Sequence, residues 1–116
     1  MRFESNYIPD GWVIIRLETP QEVYYKVFGS WSGGYLDGDN WRINSGIKGF
    51  TEEENCYKFF GNSGSCYICT KFGEDRLNVF TSGVLKSIID KANKPCNTFK
   101  AKVIYFNQFK EEFNNE

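Results

Sequence analysis

Apolar residues in this chain recur mostly at every second position, the spacing of strands with one buried face. In residues 12–17 (WVIIRL), Val13, Ile15 and Leu17 share a face. Thr19-Pro20-Gln21 turns the chain, and residues 22–28 alternate back with Val23, Tyr25 and Val27. Pairing Leu17 with Val23 sets Ile15 opposite Tyr25 and Val13 opposite Val27, so one hairpin register aligns both apolar faces. A third strand, 41–47, places Trp41, Ile43, Ser45 and Ile47 on one side and Arg42 and Asn44 on the other. Gly46 and Gly49 mark the bulges or bends that a small curved barrel needs at its corners. A charged turn at 51–54 leads to a second hairpin, 55–60 and 65–71, around Gly61-Asn62-Ser63-Gly64. Setting Phe60 opposite Ser65 pairs Phe59 with Cys66 and Tyr57 with Ile68 as an inward face.

The period then changes. After an irregular stretch at 72–80, with a short strand expected near 77–80, Ser82 is a good N-cap for a helix over about 83–93. Val84, Leu85, Ile88, Ile89 and Ala92 form its apolar stripe, and Asn93 and Pro95 end it. A last strand, 99–106, alternates Phe99, Ala101, Val103 and Tyr105 against Lys100 and Lys102. Phe106, Phe109 and Phe113 in the tail have helical spacing, which suits either a short docking helix or a frayed end. Residues 1–10 read as a lead-in closed by the turn Pro9-Asp10-Gly11. The expected fold is α+β: one domain over residues 1–116, with an antiparallel β-sheet folded as a small, partly open barrel. One C-terminal helix precedes the last strand.

Composition sharpens this picture. Aromatic residues make up 18% of the 116 positions, with eleven Phe, seven Tyr and three Trp, which favours sheet. Fourteen basic and fifteen acidic residues leave a net charge of −1. That argues against general binding to nucleic-acid phosphates but leaves a local basic patch open. No apolar run approaches the length of a membrane span, about 20 residues. The opening MRFESNYIPD lacks a signal-peptide pattern. The chain is therefore expected in the cytoplasm, without a membrane partner and with its four cysteines reduced. It contains no histidine, which removes the commonest general base, the usual catalytic triad and most catalytic zinc sites.

Other candidate chemistry thins out. Cys66 and Cys69 have the spacing of a redox or zinc pair, but positions three apart on a strand face opposite ways. The hairpin register puts Cys56 opposite Cys69 on the outer face with Cys66 inward, and a zinc site would also need the distant Cys96. Asp37 and Asp39 resemble the first ligands of a calcium loop, but Trp41 and Ile43 stand where oxygens are required. Glu52, Glu53 and Glu54 read as a solvated turn. No metal or cofactor is expected.

The glycine-rich stretch 31–49, WSGGYLDGDNWRINSGIKG, is the exception. Trp31, Tyr35 and Trp41 suit stacking on a flat ring. Arg42 and Lys48 suit phosphate, and Asn44, Ser45, Ser65 and Tyr67 suit polar edges. For the two tryptophans, plugging the core is an equal alternative. Arg42 and Asn44, on the other face of their strand, are the better site candidates.

The stretches GGYLDGDNWRINSGI and GNSGSCYICTK resemble small accessory proteins of T-even-like phages, in which W-R-x-x-S-G-I is followed by a charged turn and then S-G-S-x-Y-x-C. The likeness covers about residues 12–71. It implies a non-enzymatic protein acting in the cytoplasm of an infected host cell against host defence. Such proteins sequester a small nucleotide-type signalling ligand, commonly as homo-oligomers, or block a host defence protein, here through the exposed aromatics of the same glycine-rich loop. A nucleotide-cleaving enzyme is the remaining alternative.

Overall fold

The computed structural model describes residues 5–32 and 40–114. The glycine loop carrying Tyr35, Asp37 and Asp39 lies outside the described residues. The strands are β1 (Ser5–Tyr7), β2 (Gly11–Glu18), β3 (Val23–Trp31), β4 (Asn40–Ile43), β5 (Ile47–Glu52), β6 (Cys56–Gly61), β7 (Ser65–Thr70) and β8 (Lys100–Ile104). Two helices, α1 (Val79–Ala92) and α2 (Phe106–Asn114), flank β8 in the chain. The strands form two four-stranded sheets, ordered β1-β7-β6-β5 and β4-β3-β2-β8, so the fold is α+β with strands dominant and no closed barrel among the described residues. Pairing is antiparallel apart from β1 and β7, which run parallel with Tyr7 beside Tyr67. Residues 5–7 are thus an edge strand rather than a lead-in. No helix among the described residues is long and apolar enough to cross a membrane.

Both hairpins exist, each one residue out of the expected register. Leu17 lies opposite Tyr24 and Ile14 opposite Val27. The expected register assumed one buried face, whereas β2 is buried on both. Trp12 and Ile14 pack with Tyr25 and Val27 between the sheets, while Val13 and Ile15 pack with Phe28 beneath α1. In the second hairpin Phe59 faces Tyr67 and Tyr57 faces Cys69. The loop there is one residue shorter than expected, and Gly64 takes a left-handed φ of 94°. Cys69 therefore points into the inter-sheet core, and Cys66 occupies the opposite pleat, reversing the expected assignment. The two still lie on opposite faces, as the strand argument required.

The expected third strand is broken in two. β4 pairs with β3 through Ile43, then the chain leaves that sheet at Asn44 and joins the other as β5. Gly46 makes the corner with a left-handed φ of 136°, and a Cβ there would stand 2.7 Å from Asn62 Nδ2. Pairing of β5 with β6 also shifts between Ile47 and Gly49, a second irregularity at a glycine singled out by the sequence.

α1 starts earlier than expected. Asn78, not Ser82, caps it, with Asn78 Oδ1 accepting from Thr81 N–H at 2.8 Å. The buried Thr81 hydroxyl lies 2.7 Å from that of Ser30, so the first turn is fixed to β3 and residues 79–80 become helix rather than strand. Val84, Leu85, Ile88, Ile89 and Ala92 cover Val13, Ile15, Phe28 and Ala101, as their spacing foretold, and Asn93 caps the end. The Asn93 side chain also donates to Ala101 O (2.8 Å) and accepts from Ala101 N–H (2.7 Å). It occupies backbone groups on the outer edge of β8 that a foreign strand would otherwise pair with.

β8 stops at Ile104, shorter than expected, and the tail is a docked helix, not a frayed end. Ala101 is buried and Lys100 and Lys102 are exposed as the alternation requires, but further on Ile104 is buried while Val103 and Tyr105 are exposed. Phe106 and Phe109 are buried, and Phe106 stacks on Tyr57 at 3.6 Å. The Phe109 ring lies 5.2 Å from Tyr25, 5.2 Å from Phe50 and 5.7 Å from Phe59. Glu112 accepts from the Tyr25 hydroxyl at 2.6 Å and from Arg16 Nε at 2.9 Å. The charged turn after β5 has a use as well: Glu52 receives Lys110 of α2 at 2.9 Å and Lys71 at 3.1 Å.

Candidate functional site

Where β4 departs from its sheet, the two sheets leave a cleft of about 400 Å³. Its walls come from three places in the chain: Tyr7 on β1, the crossover Arg42-Ile43-Asn44-Ser45, and Ser63, Ser65 and Tyr67 of the β6–β7 hairpin. The crossover can leave the sheet because Asn44 continues the ladder for one more residue. Its N–H donates to Val27 O at 3.0 Å, and its side-chain Oδ1 accepts from Val27 N–H at 2.9 Å. With Oδ1 engaged in this way, the amide orientation is set and Nδ2 is left over. Nδ2 is the one buried side-chain nitrogen or oxygen without a partner among the described residues. Leaving such a donor unpaired costs about 1–3 kcal/mol.

The far wall is tied to the crossover. Ser45 Oγ accepts from Ser63 N–H at 3.0 Å, and the hydroxyls of Ser63 and Ser65 lie 3.2 Å apart. Asn62 N–H donates to Gly46 O at 3.0 Å. Arg42 is exposed, with its guanidinium carbon 4.5 Å from the centre of the Tyr7 ring, a cation–π contact. Tyr7 in turn lies 5.0 Å from Tyr67. Burial pushes the Tyr67 phenol up to about 12, with the nearby Arg42 charge pulling the other way, so Tyr67 is a neutral donor at physiological pH. No carboxylate lines the cleft among the described residues, and Arg42 has no ion-pair partner among them. The site is a positive, donor-rich recess suited to anionic or carbonyl oxygens.

The nine residues expected from sequence are distributed unevenly. Arg42, Asn44, Ser45, Ser65 and Tyr67 come together here. Trp31 lines an adjoining cleft of about 280 Å³ with Asn6, Ile8 and Asn40, and the two clefts share Tyr7 and Arg42. Trp31 Nε1 donates to Ile8 O at 3.0 Å, and its ring meets Tyr7 edge-on at 6.4 Å. Trp41 is on the opposite face of β4, stacked on Phe28 at 5.5 Å beneath α1. It belongs to the core, because strand alternation turns it away from Arg42. Lys48 is exposed on β5 and does not line this cleft. Tyr35 lies outside the described residues.

Sequence reasoning missed Tyr7, since a three-residue strand has no period and its parallel partner, Tyr67, is far away in the chain. Within residues 1–10, which also hold Phe3 and Ile8, nothing local singles Tyr7 out. No family model, curated protein or solved structure matches the chain.

Proposed function

We propose that this protein binds and sequesters a small nucleotide-type ligand, without chemical turnover, in the cleft between its two sheets. The observation that carries the reading is a cleft lined by Arg42, the neutral Tyr67 phenol, Asn44 and three serines, with no carboxylate among its described lining. A chain without histidine, and a recess with no carboxylate among its described lining, offer little for proton transfer near neutral pH, which favours binding over catalysis. In this reading the sheets are the walls of a partly open barrel and the cleft is its open seam. The resemblance to phage accessory proteins supplies the setting, namely removal of a host-defence signal in the cytoplasm of an infected cell.

The test is Arg42→Ala. The expected outcome is loss of ligand binding with an unchanged circular-dichroism spectrum and midpoint, because Arg42 is exposed and its ring contact is local. A variant that binds nucleotides as well as the parent removes the assignment.

A second reading is inhibition of a host defence protein, expected through the aromatics of the glycine-rich loop; among the described residues the exposed apolar side chains Phe72, Val79 and Phe80, near the start of α1, favour such a contact instead. It predicts a stable complex with a host protein that Phe80→Ser weakens and Arg42→Ala leaves intact.

A further inference from the structure

We propose that the ligand site is bipartite, with a phosphate subsite in the cleft around Asn44 and a ring subsite in the adjoining cleft against Trp31. This inference rests on the nucleotide-type reading above and deepens it.

The two clefts differ in what they offer. Around Asn44 the cleft offers donors: the Arg42 guanidinium, the Tyr67 phenol and the serine hydroxyls. Asn44 Oδ1 is occupied by Val27 N–H, so it offers the cleft no acceptor. Ser45 Oγ already accepts from Ser63 N–H and keeps its proton to give. A recess of donors beside a guanidinium fits phosphate oxygens, which accept and do not donate. The neighbouring cleft is framed by the Trp31 and Tyr7 rings with Ile8, and by the amides of Asn6 and Asn40. Trp31 Nε1 is already satisfied by Ile8 O, so what the indole still offers is its apolar surface. Tyr7 and Arg42 line both recesses, so a ligand that occupies the two meets both side chains.

The arrangement makes Trp31 the reporter. Trp12 is fully buried and Trp41 is stacked on Phe28 on the other face of β4, so neither meets a ligand. A purine nucleotide such as adenosine diphosphate is expected to quench tryptophan fluorescence in the parent and in Trp41→Phe, but not in Trp31→Phe. The latter binds it about tenfold more weakly, the order expected for loss of one stacking partner. Inorganic pyrophosphate fills only the phosphate subsite. It is expected to raise the melting temperature of the parent and of Trp31→Phe equally, with no quenching, and to have no effect on Arg42→Ala. Quenching that persists in Trp31→Phe, or pyrophosphate binding that depends on Trp31, overturns the two-subsite assignment while nucleotide binding itself stands. Absence of any shift or quenching with either probe in the parent overturns the nucleotide-type reading and this inference together. Circular dichroism confirms that each variant is folded before it is scored.

Discussion

The space between the sheets is finished in two ways. On the side of β5 and β6 it is filled by α2, whose Phe106 and Phe109 lie among Phe50, Tyr57 and Phe59 with no unpaired buried side-chain donor or acceptor among the described residues there. Beside β4 and β1 it is left open, and the side chains there are an arginine, serines, tyrosines and an asparagine with an unpaired donor. The same pair of sheets thus carries a closed region, where burial goes into stability, and an open one, where an unmet hydrogen bond persists in the free protein. The unsatisfied group separates the open region from the closed one more sharply than the aromatics do, because aromatics line both.

If the closed region holds the fold and the open one does not, substitutions should separate the two. The largest expected effect is Phe109→Ala, which empties a fully buried position. It should cost about 3–5 kcal/mol of unfolding free energy in a denaturant titration. Arg42→Ala is next. Loss of a charged hydrogen-bond donor should weaken nucleotide binding by about 1.5–3 kcal/mol in a calorimetric titration. Its stability should stay within about 0.5 kcal/mol of the parent.

Acid should loosen the closed region selectively. The Tyr25 hydroxyl, then Gln108 and Arg16, hold the Glu112 carboxyl down from 4.5 to about 2. A carboxyl depressed on folding contributes stability that is complete above its unfolded value and is lost as pH falls through the folded one. Unfolding midpoints followed as pH falls from above the unfolded value to the folded one should therefore drop more steeply for the parent than for Glu112→Gln. Equal slopes would mean that the Glu112 contacts do not secure α2. The smallest effect is expected from Lys48→Ala, because Lys48 is exposed and away from the cleft lining. Its stability should stay within about 0.5 kcal/mol of the parent, with ligand affinity unchanged.

How much of this was readable in the chain follows the same division. Both hairpins, the stripe of α1 and five cleft residues were legible, because alternation and helical spacing survive without knowledge of neighbours. Register was not. A strand buried on both faces, as β2 is with Trp12 and Ile14 on one side and Val13 and Ile15 on the other, offers two equally apolar sets and no preference between them. The break in the third strand was half visible: Gly46 announced a bend, but nothing local says that the chain changes sheets there. Asn44 was named for its face. Its unpaired Nδ2 could not be foreseen, since that depends on Val27 N–H, on another strand, claiming Oδ1. The docking of α2 needed Tyr25, Arg16 and Glu52 as distant partners, which spacing alone does not reveal.

The central claim is tested most directly by thermal unfolding of the parent and Arg42→Ala against linear and cyclic nucleotides and ADP-ribose derivatives. A ligand at about a hundred times its dissociation constant adds about 2.7 kcal/mol, which for a domain of this size is a rise of several degrees. The account predicts that rise for at least one compound in the parent and less than half of it in Arg42→Ala. No rise with any compound, or an equal rise in both proteins, would contradict it.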